Sequence, residues 1–557
     1  MKFLKLLPQI RVRYLIIIVL VLGVFFRFVN LEQKFYWYDE VYTSLRVSGY
    51  TSTEVIQDLL DGHVISIEEL QKYQHPNSDK GVIDTVKGLA IEETQLPPLY
   101  FLMTRFWVQL LGHSVAVTRS LSALLSLLVF PCLYWLCREL FEFPLVGWVA
   151  ITLMAVSPFH VLYAQEARMY SLWTVTILLS SAALLRAVRV NTKGSWGLYS
   201  VTLALGLYTH LLSVLVAIAH VIYIAVIERF KLSKVARAYL FASLGGFLIF
   251  SPWLLVVIIH FYGTGGVTGW TGNSLSLLTL VKIWILGISR VFFDVDLDSV
   301  IEQYAIGLGL GNNSAVKEVF ANSVLLISVS IILLVLGLIA YSLYFLCRQS
   351  PKRVWLFILT LGGVTALSKI LPDLIWGGQR SAVSRYLIPC YLSLQLAVAY
   401  LLASKISTIY AGTRQQKLWR VATIALISSG VLSCAVISQA EAWWNRPGSP
   451  YHYPARLINQ TANPLLVSDA VINWSTSSSH LLDPDINLVI GFSYLLGQNV
   501  RFQFVFEPQI PQIPEEVRDV FFFSPSKTLR SGLIQEYKHK IEPIYKPGDI
   551  WYFEKLE

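Results

Sequence analysis

Three stretches of this 557-residue chain carry acids and arginines among aromatics in patterns that could do chemistry. The sequence FYWYDEVY (35–42) places Asp39 and Glu40 shortly after the first apolar run, YAQEARMYSLW (163–173) carries Glu166 and Arg168, and GGQRSAVSRYLIPCY (377–391) carries Arg380 and Arg385. Carboxylates suit deprotonation of a hydroxyl or stabilisation of positive charge developing on a sugar. Arginines suit phosphate, which they meet with a planar pair of hydrogen bonds. Plainer readings stand beside these. An Asp-Glu pair in an acidic loop also reads as a solvated face, and Glu166 and Arg168 as interfacial charges. Arg385 can be a snorkelling anchor, and Trp37, Trp443 and Trp444 an aromatic belt. The histidines His63, His75, His113, His210 and His220 show no metal-ligand spacing. Taken alone, these residues leave a membrane enzyme and a transporter both open.

The elements that must position them are set by composition. Hydrophobic residues make up 55% of the chain and charged residues 14%, against about 25% charged in soluble domains, and the mean hydropathy is +0.57. This excludes disordered, collagen-like and disulfide-scaffold classes and predicts a polytopic membrane protein. Apolar runs near the ~20 residues needed to span hydrocarbon fall at 14–30, 117–137, 146–163, 170–189, 238–261, 322–346, 354–371, 386–404 and 419–438, and 196–228 is long enough for two short spans. Basic clusters at Arg186/Arg189/Lys193, Arg229/Lys231/Lys234/Arg237, Arg348/Lys352/Arg353 and Lys405/Arg414/Lys417/Arg420 should share the cytoplasmic side with the basic amino terminus, because positive loops stay inside. Only one arrangement satisfies them all. The run 97–112 lies at the outer surface as an amphipathic juxtamembrane helix, 196–228 forms a hairpin, and eleven spans end in an external carboxyl terminus. The net charge of +9 is then a topology signal, and no nucleic-acid partner is expected. The five cysteines all lie in or beside apolar segments and suggest no disulfide framework.

On this topology the charged stretches share one membrane face. Residues 31–116 form a first external loop with twelve acids and six bases, and 262–321 a second. Residues 440–557 change character: short β-type runs at Leu465–Ser468, Phe502–Phe506, Asp519–Phe523 and Ile550–Phe553 alternate with proline-rich turns, with a helix near 526–538. They read as a small extracytoplasmic α/β domain following a membrane domain at 1–439. Asn312, Asn459 and Asn473 lie in Asn-x-Ser/Thr triplets on the expected external side, but short triplets arise by chance and do not establish a eukaryotic host. No inverted repeat of the transporter type stands out.

The order and sidedness of these motifs resemble a known superfamily. An acidic pair in the first external loop is followed by TQLPPLY (94–100), then by QEARMYSL, then by RYLIP at the head of a late span. This is similar to the GT-C glycosyltransferases, and within them to the protein O-mannosyltransferase and lipid A aminoarabinose transferase group with its bacterial family 39-like members, over residues 10–405. The resemblance implies a GT-C fold, a sugar donor carried on a polyprenyl phosphate, inverting transfer to an acceptor hydroxyl, and an active site facing away from the cytoplasm. It implies that Asp39 is the catalytic base with Glu40 its partner, and that Glu166 is the acid of the second external motif. Arg385 and Tyr386 then lie at the lipid phosphate, aided by Arg380 or Arg168. Relatives often carry His before the Pro-Pro pair, where this chain has Gln95 and Leu96. Some relatives use a divalent cation, but this sequence indicates no metal ligand. The resemblance leads to a multi-pass protein of a bacterial plasma membrane whose sugar and acceptor (protein, lipid or polysaccharide) the sequence does not name. The rival class is a transporter or flippase of lipid-linked sugars. It calls for ionisable residues deep in the spans, whereas here the charges gather at one face.

Overall fold

The computed structural model describes residues 2–260, 269–294, 314–407, 414–441, 451–470, 484–537, 541–545 and 549–554. Trp443, Trp444, Asn312, Asn473 and the segments 262–268 and 295–313 of the second loop lie outside the described residues. The chain divides into two compact units.

The first unit comprises Met1–Val29, Ser122–Pro252 and Thr271–Gln439 and is helical among the described residues. Among the described residues, seven helices are long and apolar enough to cross a membrane, Val115–Leu140, Tyr170–Val190, Lys234–Ile259, Leu325–Gln349, Lys352–Trp376, Ser384–Ile406 and Arg414–Gln439. Pro144–Ala155 and Pro158–Ala164, bent by 61°, make an eighth if counted as one span. The amino-terminal run and the 196–228 hairpin are also helical, as Lys2–Phe28, Lys193–Thr209 and Ser213–Ile227.

Burial separates the centre of this unit from its rim. Tyr170–Val190 and Ser384–Ile406 are each 83% buried over their apolar windows, whereas Lys234–Ile259 and Leu325–Gln349 are 22% buried and present Phe241, Leu248, Leu326 and Leu334 outward. The two central helices are the ones headed by QEARMYSL and SRYLIPCY. Packing on all sides therefore fixes where those motifs begin.

The bend after Ala155 frees carbonyls that a continuous helix would use. In an apolar setting each needs a donor, and Arg27, buried in the first helix, supplies them. It donates to the carbonyls of Ala155 at 2.7 Å and Met154 at 3.1 Å. Its charge is thus structural.

The second unit comprises Asn30–Leu121, Trp253–Trp270 and Ala440–Glu557. Its centre is a six-stranded sheet of β1 (Val64–Ile65), β2 (Leu465–Ala470), β3 (Arg501–Phe506), β4 (Asp519–Phe523), β5 (Ile541–Tyr545) and β6 (Ile550–Glu554), in the order β1-β3-β2-β4-β6-β5. Strand β2 pairs in parallel with β3 and β4, and the remaining pairs are antiparallel. Every residue of β2 is buried, as expected for a central parallel strand covered on both faces. On one face Leu529 and Leu533 of the helix Lys527–Tyr537 pack with Leu465, Val467, Val520 and Phe522. The helix Pro484–Ser493 packs against β2 and against the helix Tyr38–Ser48 from the first loop. All four expected β-runs are strands, and the first loop adds a strand and several helices to the same unit.

Candidate active site

In the first unit, the QEAR turn is held from both sides before the helix Tyr170–Val190 begins. Gln165 donates to the carbonyls of Phe26 and Val29, each at 2.9 Å, and the Ser122 hydroxyl donates to the Arg168 carbonyl at 3.1 Å. The Arg168 amide closes the turn on the Glu166 carbonyl at 2.7 Å. Glu166 is fully buried and Arg168 nearly so.

The late motif is shaped by its glycines. Gly377 and Gly378 both take positive φ, 76° and 135°, which a side chain would resist. The chain can then fold back over the end of the helix Lys352–Trp376, where the Asp373 carboxylate accepts from the Arg380 amide at 3.1 Å and from the Ser381 amide and hydroxyl, each at 2.7 Å. The Arg380 guanidinium pairs with the same carboxylate at 3.1 Å. Arg380 is therefore a neutralised member of a folded turn, and Asp373 was not among the residues that the sequence singled out.

Arg385 lies four residues beyond Ser381, and its guanidinium carbon is 5.4 Å from the Tyr386 ring centroid and 6.0 Å from that of Tyr170. Lys369 reaches the same Tyr386 ring at 5.6 Å. His210, in the turn between Lys193–Thr209 and Ser213–Ile227, has its ring centroid 6.2 Å from those of both Tyr386 and Tyr170 and stacks on Trp173 at 4.4 Å. Burial, then the charges of Arg168, Lys369 and Arg385, hold its imidazole far below the usual range, at about 3. It is thus neutral at physiological pH. Three cations from distant parts of the sequence converge around one imidazole and two tyrosines. Lys369 is the member that sequence reasoning missed, although a lysine within the apolar run 354–371 was a signal, since charges inside spans are commonly functional.

In the second unit, Asp39 and Glu40 open the helix Tyr38–Ser48, where the helix dipole favours negative charge. They are used differently. Glu40 is fully buried and receives both arms of Arg119, Nε to Oε1 at 2.8 Å and Nη2 to Oε2 at 2.6 Å. Arg119 also donates to the carbonyls of Leu31, Lys34 and Phe35, so the pair fixes the approach to the helix. The far end is fixed by Arg105, which donates to the carbonyls of Val47 at 2.7 Å and Ser48 at 3.1 Å. Arg46, fully buried, pairs with Glu92 at 2.5 Å and Glu93 at 2.7 Å. Residues Glu40–Ser48 are all buried and Asp39 is half-buried in the first turn. Glu40, Glu92 and Glu93 are thus internally paired rather than part of a solvated face. Among the described residues, no three His, Cys, Asp or Glu side chains converge so as to hold a metal ion.

Residues 95–256 match the family model described as dolichyl-phosphate-mannose-protein mannosyltransferase. No curated protein matches the chain in sequence. Among solved structures, the chain is similar to the crystal structure of ArnT from Cupriavidus metallidurans bound to undecaprenyl phosphate, with 13% identity, a TM-score of 0.47 and 98% of each chain covered. It is similar to the apo form of that protein at 12% identity and a TM-score of 0.49, with 99% of this chain and 98% of that one covered. It is also similar to the arabinofuranosyltransferase AftD from Mycobacteria, at 11% identity and a TM-score of 0.43, covering 92% of this chain and 37% of that one. Across residues 95–256, the segment that carries the Pro-Pro helix and the QEAR turn, the chain therefore resembles the dolichyl-phosphate-mannose-protein mannosyltransferases.

Proposed function

We propose that this protein is a membrane glycosyltransferase that moves a sugar from a polyprenyl phosphate to an acceptor hydroxyl on the extracytoplasmic face of a plasma membrane. The observation that carries the reading is the convergence of Arg168, Lys369 and Arg385 around Tyr386 and His210. A concentration of positive charge next to neutral hydrogen-bonding groups suits a lipid phosphate that gains charge as it leaves. Asp39 is the base in this reading. Its carboxylate takes the proton of the acceptor hydroxyl, the hydroxyl oxygen bonds to the anomeric carbon, and the bond from that carbon to the phosphate oxygen breaks with its electron pair on the phosphate. One displacement inverts the anomeric centre, and no covalent intermediate on the enzyme is needed. Glu40 positions the helix that carries Asp39, and Glu166 is the second acid.

The proposal includes eleven spans with a cytoplasmic amino end, a membrane catalytic part at 1–439 and an external part at 440–557. Exposed apolar side chains support a surface-lying role for the helix Leu99–Leu111. Phe106, Leu110 and Leu111 point outward while Tyr100, Phe101, Thr104 and Arg105 are buried, as in a helix that rests in the interface. The donor class is tested by mass spectrometry of lipids that co-purify with the protein. A polyprenyl phosphate or its sugar should be present with wild type and depleted with Arg385→Ala. Bulk phospholipid alone in both preparations would refute the donor assignment.

A further inference from the structure

The segment 377–387, which carries Arg385, has little regular structure of its own. Two single 3₁₀ turns, Arg380–Ala382 and Ser384–Leu387, flank Val383 in extended backbone, and such short turns, with their poorer hydrogen-bond geometry, do not fix their own place. Within the first unit, the helix Leu277–Ser289 rests on that segment. We propose that Trp284 and Gly287 of this helix are positioning residues that hold Arg385 at the donor phosphate. The proposal rests on the reading of Arg385 as a phosphate ligand; the hold itself does not.

The helix begins where Ser276 Oγ accepts from the Thr279 amide at 3.2 Å. Positions 280, 284 and 287 fall on one face of it. Leu280 and Gly287 are buried there, whereas Leu278, Val281 and Ile285 on the other face are exposed. An indole N–H can only donate, and a hydroxyl both donates and accepts. The direction of the contact is therefore fixed: Trp284 Nε1 donates to Ser381 Oγ at 2.9 Å, and Ser381 donates to the Asp373 carboxylate at 2.7 Å. Nearly one turn on, Gly287 brings the helix backbone against the second 3₁₀ turn. A Cβ there would stand 2.7 Å from the Tyr391 hydroxyl and 3.4 Å from Ser384 Oγ, and Ser384 is the residue before Arg385. Both ends of the helix are tied down. Before it, the Thr271 carbonyl accepts from the Gln379 amide at 2.8 Å. After it, the Arg290 carbonyl accepts from the Phe159 amide at 3.1 Å and the Val291 carbonyl from the Ser157 hydroxyl at 2.7 Å. The helix thus bridges the bend after Ala155 and the late motif, and it gives Arg385 a fixed reference that its own turn lacks.

The test uses the full-length detergent-solubilised protein with undecaprenyl phosphate as the probe. Trp284→Phe keeps a ring and loses the donor; Gly287→Ala pushes on Ser384 and Tyr391. In both, hydrogen exchange across 379–388 should quicken about threefold or more, while exchange in the sheet of the second unit stays unchanged. Each should also weaken undecaprenyl phosphate about three- to tenfold, the size of one lost hydrogen bond. Adding Trp284→Phe to Arg385→Ala should weaken the lipid no further than Arg385→Ala alone, because the indole acts through Arg385, whereas an independent structural effect would add. Unchanged exchange at 379–388 in both variants would overturn the inference. So would unchanged affinity in both, or additive losses in the double variant, while Arg385→Ala still weakens the lipid. No loss with Arg385→Ala would instead refute the donor assignment, and the inference with it.

Discussion

At the scale of single residues, neighbouring acids differ in what surrounds them, and the proposed base Asp39 is distinguished from Glu40, which holds the shape of its helix. Asp39 sits half-buried in the first turn of its helix, whereas Glu40 beside it is fully buried and bound to Arg119. Asp39→Asn keeps shape and polarity and removes basicity, so turnover should fall by roughly 10²–10⁴-fold while donor retention and thermal stability stay near wild type. Steady-state assays beside a melting curve check this. For the donor, Arg385→Ala should weaken binding by ~1.5–3 kcal/mol, the range for a charge-assisted hydrogen bond, and Lys should restore only part of it. Lys369→Met should weaken it in the same direction; unchanged donor affinity would return Lys369 to the role of a mere ring partner of Tyr386. Lys34 adds a pH signature. Its folded value of about 7 lies below the unfolded 10.5, so between these values the unfolded state holds more protons and stability rises with pH. Lys34→Met should therefore stabilise the protein most below pH 7, with the gain fading as pH rises towards 10.5. Denaturation followed at several pH values reads the slope directly.

At the scale of elements, the helix Tyr38–Ser48 is clamped at both ends by arginines from later in the chain, Arg119 at its start and Arg105 at its finish. Removing one partner of a buried pair leaves the other charge uncompensated, so Arg119→Met should cost ~3–5 kcal/mol of stability. The loss should appear as early unfolding of the second unit in hydrogen exchange, with the helix Tyr38–Ser48 losing protection first. Much of this level was legible in the sequence. Apolar runs of spanning length and the short β-type runs at Leu465–Ser468 and Asp519–Phe523 report local burial, and local burial is what a sequence displays. The partners of charged residues were not legible. Arg119 lies inside the run 117–137 and Arg105 inside 97–112, where each looks like a polar interruption, and nothing local says that each serves a helix at 38–48. Strand β1 escaped notice for the same reason. Two residues, Val64 and Ile65, carry no alternation, and their pairing with Gln503 and Phe502 is settled only by the assembled sheet. Lys369 was overlooked because its apolar neighbours dominated the reading of that span.

At the scale of the whole molecule, the proposed function requires that residues 31–116 and 440–557 lie on one side of the membrane. Single cysteines replacing Ser78, Gly194 and Gln460, in a background without the five native cysteines, should differ towards an impermeant thiol reagent on intact cells. Labelling at 78 and 460 with protection at 194 is expected, whereas labelling at 194 would mean that the helix Leu99–Leu111 crosses. The central claim is bond transfer, and it is tested most directly by product analysis. Purified protein is given a polyprenyl-phosphate sugar labelled in both lipid and sugar, together with a membrane extract containing acceptors. The account predicts release of free polyprenyl phosphate in step with sugar appearing on acceptor, both dependent on Asp39 and Arg385. Recovery of the lipid-linked sugar intact, merely moved between leaflets in reconstituted vesicles, would contradict it.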